Sequence, residues 1–497
     1  MTNFETRLVR YMDAGFPLIY VDTFEEGKAM SIIRKVFRGR GLLEWNVRGF
    51  FDHQSHASML GQGLADTLEL LMSDESNLAR KVLVLLGAHF FLDDPAVVER
   101  LKQISQKINQ GDLDDCTVFI IAPVVKIPTE LESYMTILTM DFLAPKEIRK
   151  VISDFVAEHE IPPLQDDFLD ELTMTLKGLS ETEINSILAL SVADDGEINH
   201  QDLSLIFEQK QQMIKKSGIL DMVTIKESID DIGGLENLKK WLRRKAEVFK
   251  NITKARNFGV DVPKGVLIAG MPGCGKSLNA KAAAQLFGVP LLRMDMGRLM
   301  GKYVGESEGN MRRAIALAEA SSPCVLWIDE LEKAFAGIGG QGGGAEVTTR
   351  LFGNFLTWLQ EKDSLAFVVA TANNIADLPP ELLRKGRFDE IFYVGLPNKE
   401  EREKIFTIHI EKRRKQDLSK INLSTLVEKT EGYSGADIEG VVRDSVEDAF
   451  ASHKTELTTD DITRAINNTH SLSEIMKDSL DKMSKIYKER KFKNASA

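Results

Sequence analysis

Cysteine is scarce. The chain has 3 in 497 residues, Cys116, Cys274 and Cys324, too few for a disulfide framework, and this points to a reducing compartment. Long apolar runs are also missing. The longest, Val82 to Leu92, includes His89; it falls well short of the roughly 20 residues a bilayer helix needs and reads as a buried strand. A transmembrane segment is therefore not expected. Nor is a secretory signal, because the apolar stretch Phe16 to Val21 is short and Asp22 follows it. Basic charge is not in excess: 63 Lys and Arg face 75 Asp and Glu, for a net −12. That balance disfavours generic nucleic-acid or membrane binding. No His-Glu-x-x-His occurs, which excludes a fused metalloprotease of that type.

What is present is ordinary for folded chains: 43% hydrophobic and 28% charged residues, so wholesale disorder is excluded. The length alone suggests about three compact units. The first feature that carries chemistry is Gly270-Met-Pro272-Gly273-Cys274-Gly275-Lys276-Ser277, with Leu278 after it. The apolar run Val266 to Ala269 precedes it, and a helix-forming stretch with three alanines follows. Strand, glycine loop and helix is the order that phosphate binding requires. Glycines let backbone N–H groups converge on phosphates, and the helix N-terminus adds partial positive charge. Lys276 is expected on the β and γ phosphates of ATP, and Ser277 on Mg²⁺. Cys274 reads as a tolerated small residue, because no partner cysteine is evident.

About 50 residues on, the apolar strand Cys324 to Ile328 ends in Asp329 and Glu330. Carboxylates at the C-terminal end of a parallel strand point into the ligand crevice. Asp329 is expected in the metal shell and Glu330 on the attacking water. A further strand, Phe367 to Ala370, leads to Asn373, which is suited to orienting that water or sensing the γ phosphate. Arg384 and Arg387 lie three apart. A guanidinium from a neighbouring subunit can neutralise transition-state charge in phosphoryl transfer; if both act so, the enzyme is an oligomer.

These motifs together resemble the AAA+ ATPases of the AAA clade proper, over about residues 226–470. Asp231-Ile-Gly233-Gly resembles the family's adenine-side segment, and Asn373 its first sensor. Arg384 and Arg387 resemble the paired arginine fingers, and His409 the nucleotide-contacting histidine. Gly435-Ala436-Asp437 resembles the motif opening the second lid helix. The resemblance implies a homo-hexameric ring, ATP hydrolysis between subunits, and work on a macromolecule in the pore. Lys302, Tyr303 and Val304 resemble the first pore loop, with Tyr303 as the gripping ring. Residues 336–345 contain six glycines where relatives carry charge. This stretch reads as a flexible second pore loop that would offer little charge-based preference.

The first 200 residues contain no intact nucleotide motif, yet they echo the second half. Phe119 to Ala122 with Pro128 and Glu130 parallels Phe367 to Ala370 with Pro379 and Glu381. Ser180 and Glu183 parallel Ser434 and Asp437. Set against the phosphate loop, Asp22 stands at Gly270, Glu25 at Gly273 and Ala29 at Ser277, and Gly87-Ala88 replace Asp329-Glu330. Acids there repel phosphate. This half reads as an AAA-like module without ATPase chemistry, which binds partners or braces the ring. The basic stretch Arg34 to Arg48 reads as a solvated face.

The fold class expected is α/β: a P-loop NTPase AAA+ module, with a parallel sheet between helices plus a helical lid, preceded by a degenerate AAA-like α/β module with its own lid. The boundaries expected are 1–142 for the degenerate domain, 143–200 for its lid and 201–225 for a helical connector. The ATPase domain follows at 226–396, its lid at 397–470, and a C-terminal helix with a frayed basic tail at 471–497. This layout resembles an AAA ATPase family of similar length found in cyanobacteria and chloroplast genomes. It implies a cytoplasmic protein, or a stromal one if plastid-encoded. The function expected is a Mg²⁺-dependent ATPase that remodels an unidentified protein substrate. The alternative is an ATP-gated scaffold; a nucleic-acid motor fits the acidic balance poorly.

Overall fold

The structure, a computed structural model, describes residues 3–37, 39–193, 196–216, 218–299, 306–334, 343–375, 378–475, 482, 485–487, 489 and 492–497. They form two compact units: the first holds the described residues through Ile198 together with 306–309, and the second holds the rest.

The first unit is built on β1 (Leu18–Asp22), β2 (Gly41–Asn46), β3 (Gly49–Asp52), β4 (Ala57–Leu60), β5 (Lys81–Leu86), β6 (Thr117–Ala122) and β7 (Met135–Thr139). Their order is β4-β3-β2-β5-β6-β1-β7. The strands β2, β5, β6, β1 and β7 are parallel, and β3 and β4 extend one edge as antiparallel strands. The central strands β1 and β6 are buried along their whole length, as expected when both faces of a parallel sheet are covered. Apolar clusters fill both faces. The apolar run from Val82 stops being strand at Leu86, because Gly87 turns left-handed at φ +70°. Three helices follow, Pro145–Glu158, Asp166–Thr175 and Glu181–Val192, and pack on one another.

The second unit contains β8 (Leu220–Val223), β9 (Gly265–Gly270), β10 (Leu291–Met294), β11 (Cys324–Ile328), β12 (Ala366–Ala372), β13 (Glu390–Val394) and β14 (Lys493–Asn494). Their order is β14-β13-β9-β12-β11-β10-β8. All pairs are parallel except β8 with β10. Every residue of β9, β11 and β12 is buried. The helical lid, including Lys399–Arg414, Leu423–Lys429, Gly435–Ala451 and Thr459–Asn467, has its own apolar core.

The parallel cores share one topology. β7-β1-β6-β5-β2 and β13-β9-β12-β11-β10 both run fifth, first, fourth, third, second among their parallel strands. The echo between the two halves of the sequence is thus an echo of architecture.

Two stretches differ from expectation. Residues 201–225 are not wholly a helical connector. Leu203–Lys216 is a helix, but Leu220–Val223 form edge strand β8, with alternating burial that four residues are too short to signal. The end of the tail is not frayed: Lys493 and Asn494 pair with Phe392 and Tyr393. Ala495 is 0% exposed, and its carbonyl accepts the N–H groups of Asn237 and Leu238 at 3.0 and 3.2 Å. Those donors open the helix Glu236–Lys250 and lack intrahelical acceptors. Among the described residues, no helix is long and apolar enough to cross a membrane.

Candidate functional site

The phosphate-loop sequence lies where β9 ends. A Cβ on Gly270 would sit 2.0 Å from the Val394 carbonyl oxygen, so only glycine allows β9 and β13 to approach this closely. Gly273 and Gly275 adopt φ of +70° and +81° and turn the chain into the helix Lys276–Phe287. Lys276 is buried at 7% exposure. Its Nζ donates to the carbonyls of Gly270 at 3.0 Å and Met271 at 2.6 Å. Burial pushes the Lys276 pKa below the usual lysine range, opposed by the field of Glu332, Asp329 and Glu330.

The carboxylates meet the loop from β11. Ser277 Oγ donates to Asp329 Oδ1 at 3.2 Å. Glu330 has a left-handed φ of +51°, and its Oε1 accepts from Asn373 Nδ2 at 3.3 Å. Asp329, Glu330 and Asn373 therefore gather at adjacent strand ends, beside Lys276 and Ser277, in a cleft of ≈ 460 Å³. That volume suits a small-molecule ligand.

The lid and the segment before β9 form the other wall. Gly233, Pro272, Cys274, Leu278, His409, Gly435 and Ala436 all line the cleft. Ala436 N–H donates to the Gly273 carbonyl at 2.9 Å, joining the start of the lid helix to the loop. Burial lowers the His409 pKa, against the attraction of Glu439 at 3.7 Å. Burial also raises the Cys274 thiol to about 11, so it is an uncharged small group, as its reading as a tolerated residue requires. Asp231 lines the cleft too, but its carboxylate accepts the Ser228 N–H at 2.7 Å. That bond leads the effects that hold its pKa below the usual range, so the side chain serves as a cap.

Arg384 and Arg387 are not among the residues lining this cleft. Arg384 is exposed. Arg387 Nη1 is buried and has no hydrogen-bond partner among the described residues. Lys302, Tyr303 and Val304 lie outside the described residues, as do residues 336–342 of the glycine-rich stretch.

The first unit differs at the same place. Three residues, 23–25, join β1 to the helix Glu26–Val36, where five, 271–275, join β9 to its helix. The residue-by-residue match therefore fails beyond Glu25, and Ala29 does not stand in for Ser277. Glu25 Oε1 accepts the N–H of Glu181, the first residue of the lid helix, at 3.1 Å. Burial raises its pKa. Lys28 pairs with Glu181 at 3.2 Å. A side chain of the unit itself thus occupies the junction of strand, helix and lid.

Several residues in or beside the cleft carry no motif; Thr371 and Glu401 line it. Thr371 bonds both Asp329 and Glu330. Glu332 Oε1 accepts the Asn373 N–H at 3.0 Å, and burial raises its pKa. Lys333 Nζ lies 2.6 Å from Glu330 Oε2. Glu401 Oε1 accepts the Leu235 N–H at 2.9 Å, fixing the segment before β9 against the lid. Only Glu401 had a readable signal, since Asn398 and Glu401 form a capping box.

Comparison with known proteins agrees with this geometry. Residues 266–396 match the ATPase family associated with various cellular activities (AAA), and residues 420–464 match the AAA+ lid domain. Residues 4–140 and 146–217 match the N-terminal and second domains of SpoVK-like AAA ATPases. The AAA domain-containing protein ycf46 of Guillardia theta is 38% identical over 487 residues, 94% of each chain. Its counterpart in Trieres chinensis is 34% identical, over 95% of this chain and 94% of its own. The proteasome-activating nucleotidase of Saccharolobus solfataricus is 33% identical over 274 residues, 53% of this chain and 67% of its own.

Proposed function

The chain belongs to the AAA ATPases, and on that premise we propose that it forms a ring whose ATP hydrolysis remodels a protein substrate drawn into a central pore. The ATP-hydrolysis part of the reading is supported by the convergence of Lys276, Ser277, Asp329, Glu330 and Asn373 in one cleft that the start of the lid helix also lines.

Each group has a role in that reading. Lys276 leaves the carbonyls of Gly270 and Met271 for the β and γ phosphates of ATP. The loop's N–H groups and the helix start bind the remaining phosphate oxygens. Glu330 takes the proton of the attacking water, and Asn373 holds that carboxylate in place. Asp231, Gly233, His409, Gly435 and Ala436 enclose the nucleoside side. Arg384 and Arg387 neutralise the transferring phosphoryl group of a neighbouring subunit's ATP. The donor set of Ser277 hydroxyl and Asp329 carboxylate is hard oxygen and fits Mg²⁺. When bound, that ion supplies charge neutralisation at the phosphates.

A protein substrate is supported by the name of the proteasome-activating nucleotidase among the relatives, and by Tyr303, whose sequence context resembles the family's first pore loop. The second reading, an ATP-gated scaffold, draws on the first unit, whose Glu25 stands at its lid junction. Tyr303→Ala separates the two. A threading motor loses processing of substrates captured with the Glu330→Gln protein and keeps its ATPase rate. If processing continues undiminished, threading is wrong.

A further inference from the structure

A buried hydroxyl links the two carboxylates at the end of β11. Thr371 is 1% exposed and lies near the end of β12, beside β11 in the sheet. Its Oγ1 donates to Asp329 Oδ1 at 2.5 Å and accepts the Glu330 N–H at 3.1 Å. A threonine hydroxyl has one proton and two lone pairs, so its only proton is committed to Asp329. One oxygen atom therefore orients the Asp329 carboxylate and the backbone of the next residue at once.

The backbone at Glu330 needs such a hold. Its φ is +51°, a conformation that side-chain-bearing residues adopt rarely and that persists where the surroundings impose it. From that conformation Glu330 reaches Asn373, two residues beyond Thr371. Ser277 contributes a second hydroxyl to the same Asp329 oxygen, at 3.2 Å. Ser277 belongs to the helix that follows the phosphate loop, whereas Thr371 belongs to the sheet. Asp329 is thus referenced to the sheet whatever Ser277 binds.

We infer that Thr371 is a positioning residue for ATP hydrolysis, its hydroxyl holding Asp329 and Glu330 at one fixed spacing. The inference rests on the roles proposed above for those two carboxylates. Thr371 touches neither loop nor lid in these bonds, so its effect falls on turnover and on the metal requirement, and ATP binding without metal is spared.

The experiment compares Thr371→Val, Thr371→Ser and Glu330→Gln in the full chain. Valine keeps the shape and leaves the Asp329 oxygen and the Glu330 N–H short of a partner. For Thr371→Val, kcat is expected to fall about tenfold or more. The Kd for a fluorescent ATP analogue in EDTA should stay within about threefold of wild type. The Mg²⁺ concentration at half-maximal tightening of that analogue should rise severalfold. Thr371→Ser, which restores the hydroxyl, should recover most of the lost turnover. Should the valine protein not fold, Thr371→Cys, near in shape and a weak donor, is held to the same expectations. The inference is overturned if valine leaves kcat within about twofold of wild type. It is also overturned if kcat and metal-free binding fall together, or if serine is as impaired as valine. A Glu330→Gln protein with wild-type turnover would instead overturn the reading of the site. A dead Glu330→Gln with an active Thr371→Val overturns only the role of Thr371.

Discussion

Alanine at Gly273 and alanine at Gly275 should have different effects, and the difference measures how tightly the phosphate loop holds the lid. Both glycines are left-handed, at +70° and +81°. Alanine in that conformation costs about 1–2 kcal/mol at either site. The surroundings differ. A Cβ on Gly275 meets nothing within 4 Å, whereas one on Gly273 lies 2.9 Å from Ser434 Oγ and 3.0 Å from Ala436 Cβ. Ser434 caps the lid helix and Ala436 donates to the Gly273 carbonyl, so relief requires that helix to retreat and stretches the bond. Overpacking of this kind typically costs about 1–3 kcal/mol more. Gly273→Ala should thus lose about 2–5 kcal/mol in total, against about 1–2 for Gly275→Ala. The nucleotide-free protein is the right sample, because in the loaded protein the Gly275 backbone faces phosphate and the comparison is no longer clean. Calorimetric melts should show the Gly273→Ala transition lower than that of Gly275→Ala by several degrees, at about 2–4 °C per kcal/mol for a unit of this size. Equal melting temperatures, or a lower one for Gly275→Ala, would refute the claim that the loop and the lid helix are in tight contact.

Three further outcomes are expected. Arg384→Ala and Lys276→Ala proteins, each inactive alone, should regain ATPase activity when mixed, because some interfaces then pair an intact loop with intact arginines; a mixture no more active than its parts would place the arginines outside the neighbour's site. The Asp461 carboxyl is 3% exposed. Burial opposes its ionisation, but bonds from Lys454 and Thr458 outweigh that and hold its pKa at about 2, below the ordinary 3.8. A depressed carboxylate stabilises the fold above its unfolded pKa and loses this as pH falls through the folded one. The lid should therefore lose about 1–2 kcal/mol between roughly pH 4 and 2, less than the full shift because Lys454 and Arg464 are 38% and 66% exposed. Melts of Asp461→Asn that run parallel to wild type down to acid would refute it. Deleting residues 493–497 should cost about 2–3 kcal/mol, since the N–H groups of Asn237 and Leu238 lose their acceptor and the edge of β13 is uncovered; an unchanged melting temperature would show that the strand contributes nothing.

The sequence revealed most where chemistry forces a linear pattern. Lys276 and Ser277 must follow glycines at fixed spacing, and Asp329 and Glu330 must end an apolar strand, so all four were legible and meet in one cleft. The shared strand order was foreshadowed by short matches such as Phe119 to Ala122 with Phe367 to Ala370. Residues defined only by three-dimensional neighbours were not legible. Thr371 looks like any threonine in a buried strand, and only the pairing of β12 with β11 brings it to Asp329. Ala495 gave no sign of burial, because the groups that need it, Asn237 and Leu238, lie more than 250 residues away. Within the first unit the reading of an acid in the phosphate place was sound as chemistry, but its register slipped once the loop proved two residues shorter.

The Glu25 carboxylate has an energetic meaning of its own. In the second unit the Ala436–Gly273 bond already joins loop and lid, and a ligand bound in the cleft adds an influence that grows with the logarithm of its concentration. Glu25 is attached by the chain to the very junction it fills. Its effective concentration is fixed and has no dissociation constant to saturate. A bound ligand's concentration therefore bears on the lid junction of the second unit, while the Glu25 contact of the first does not vary with it.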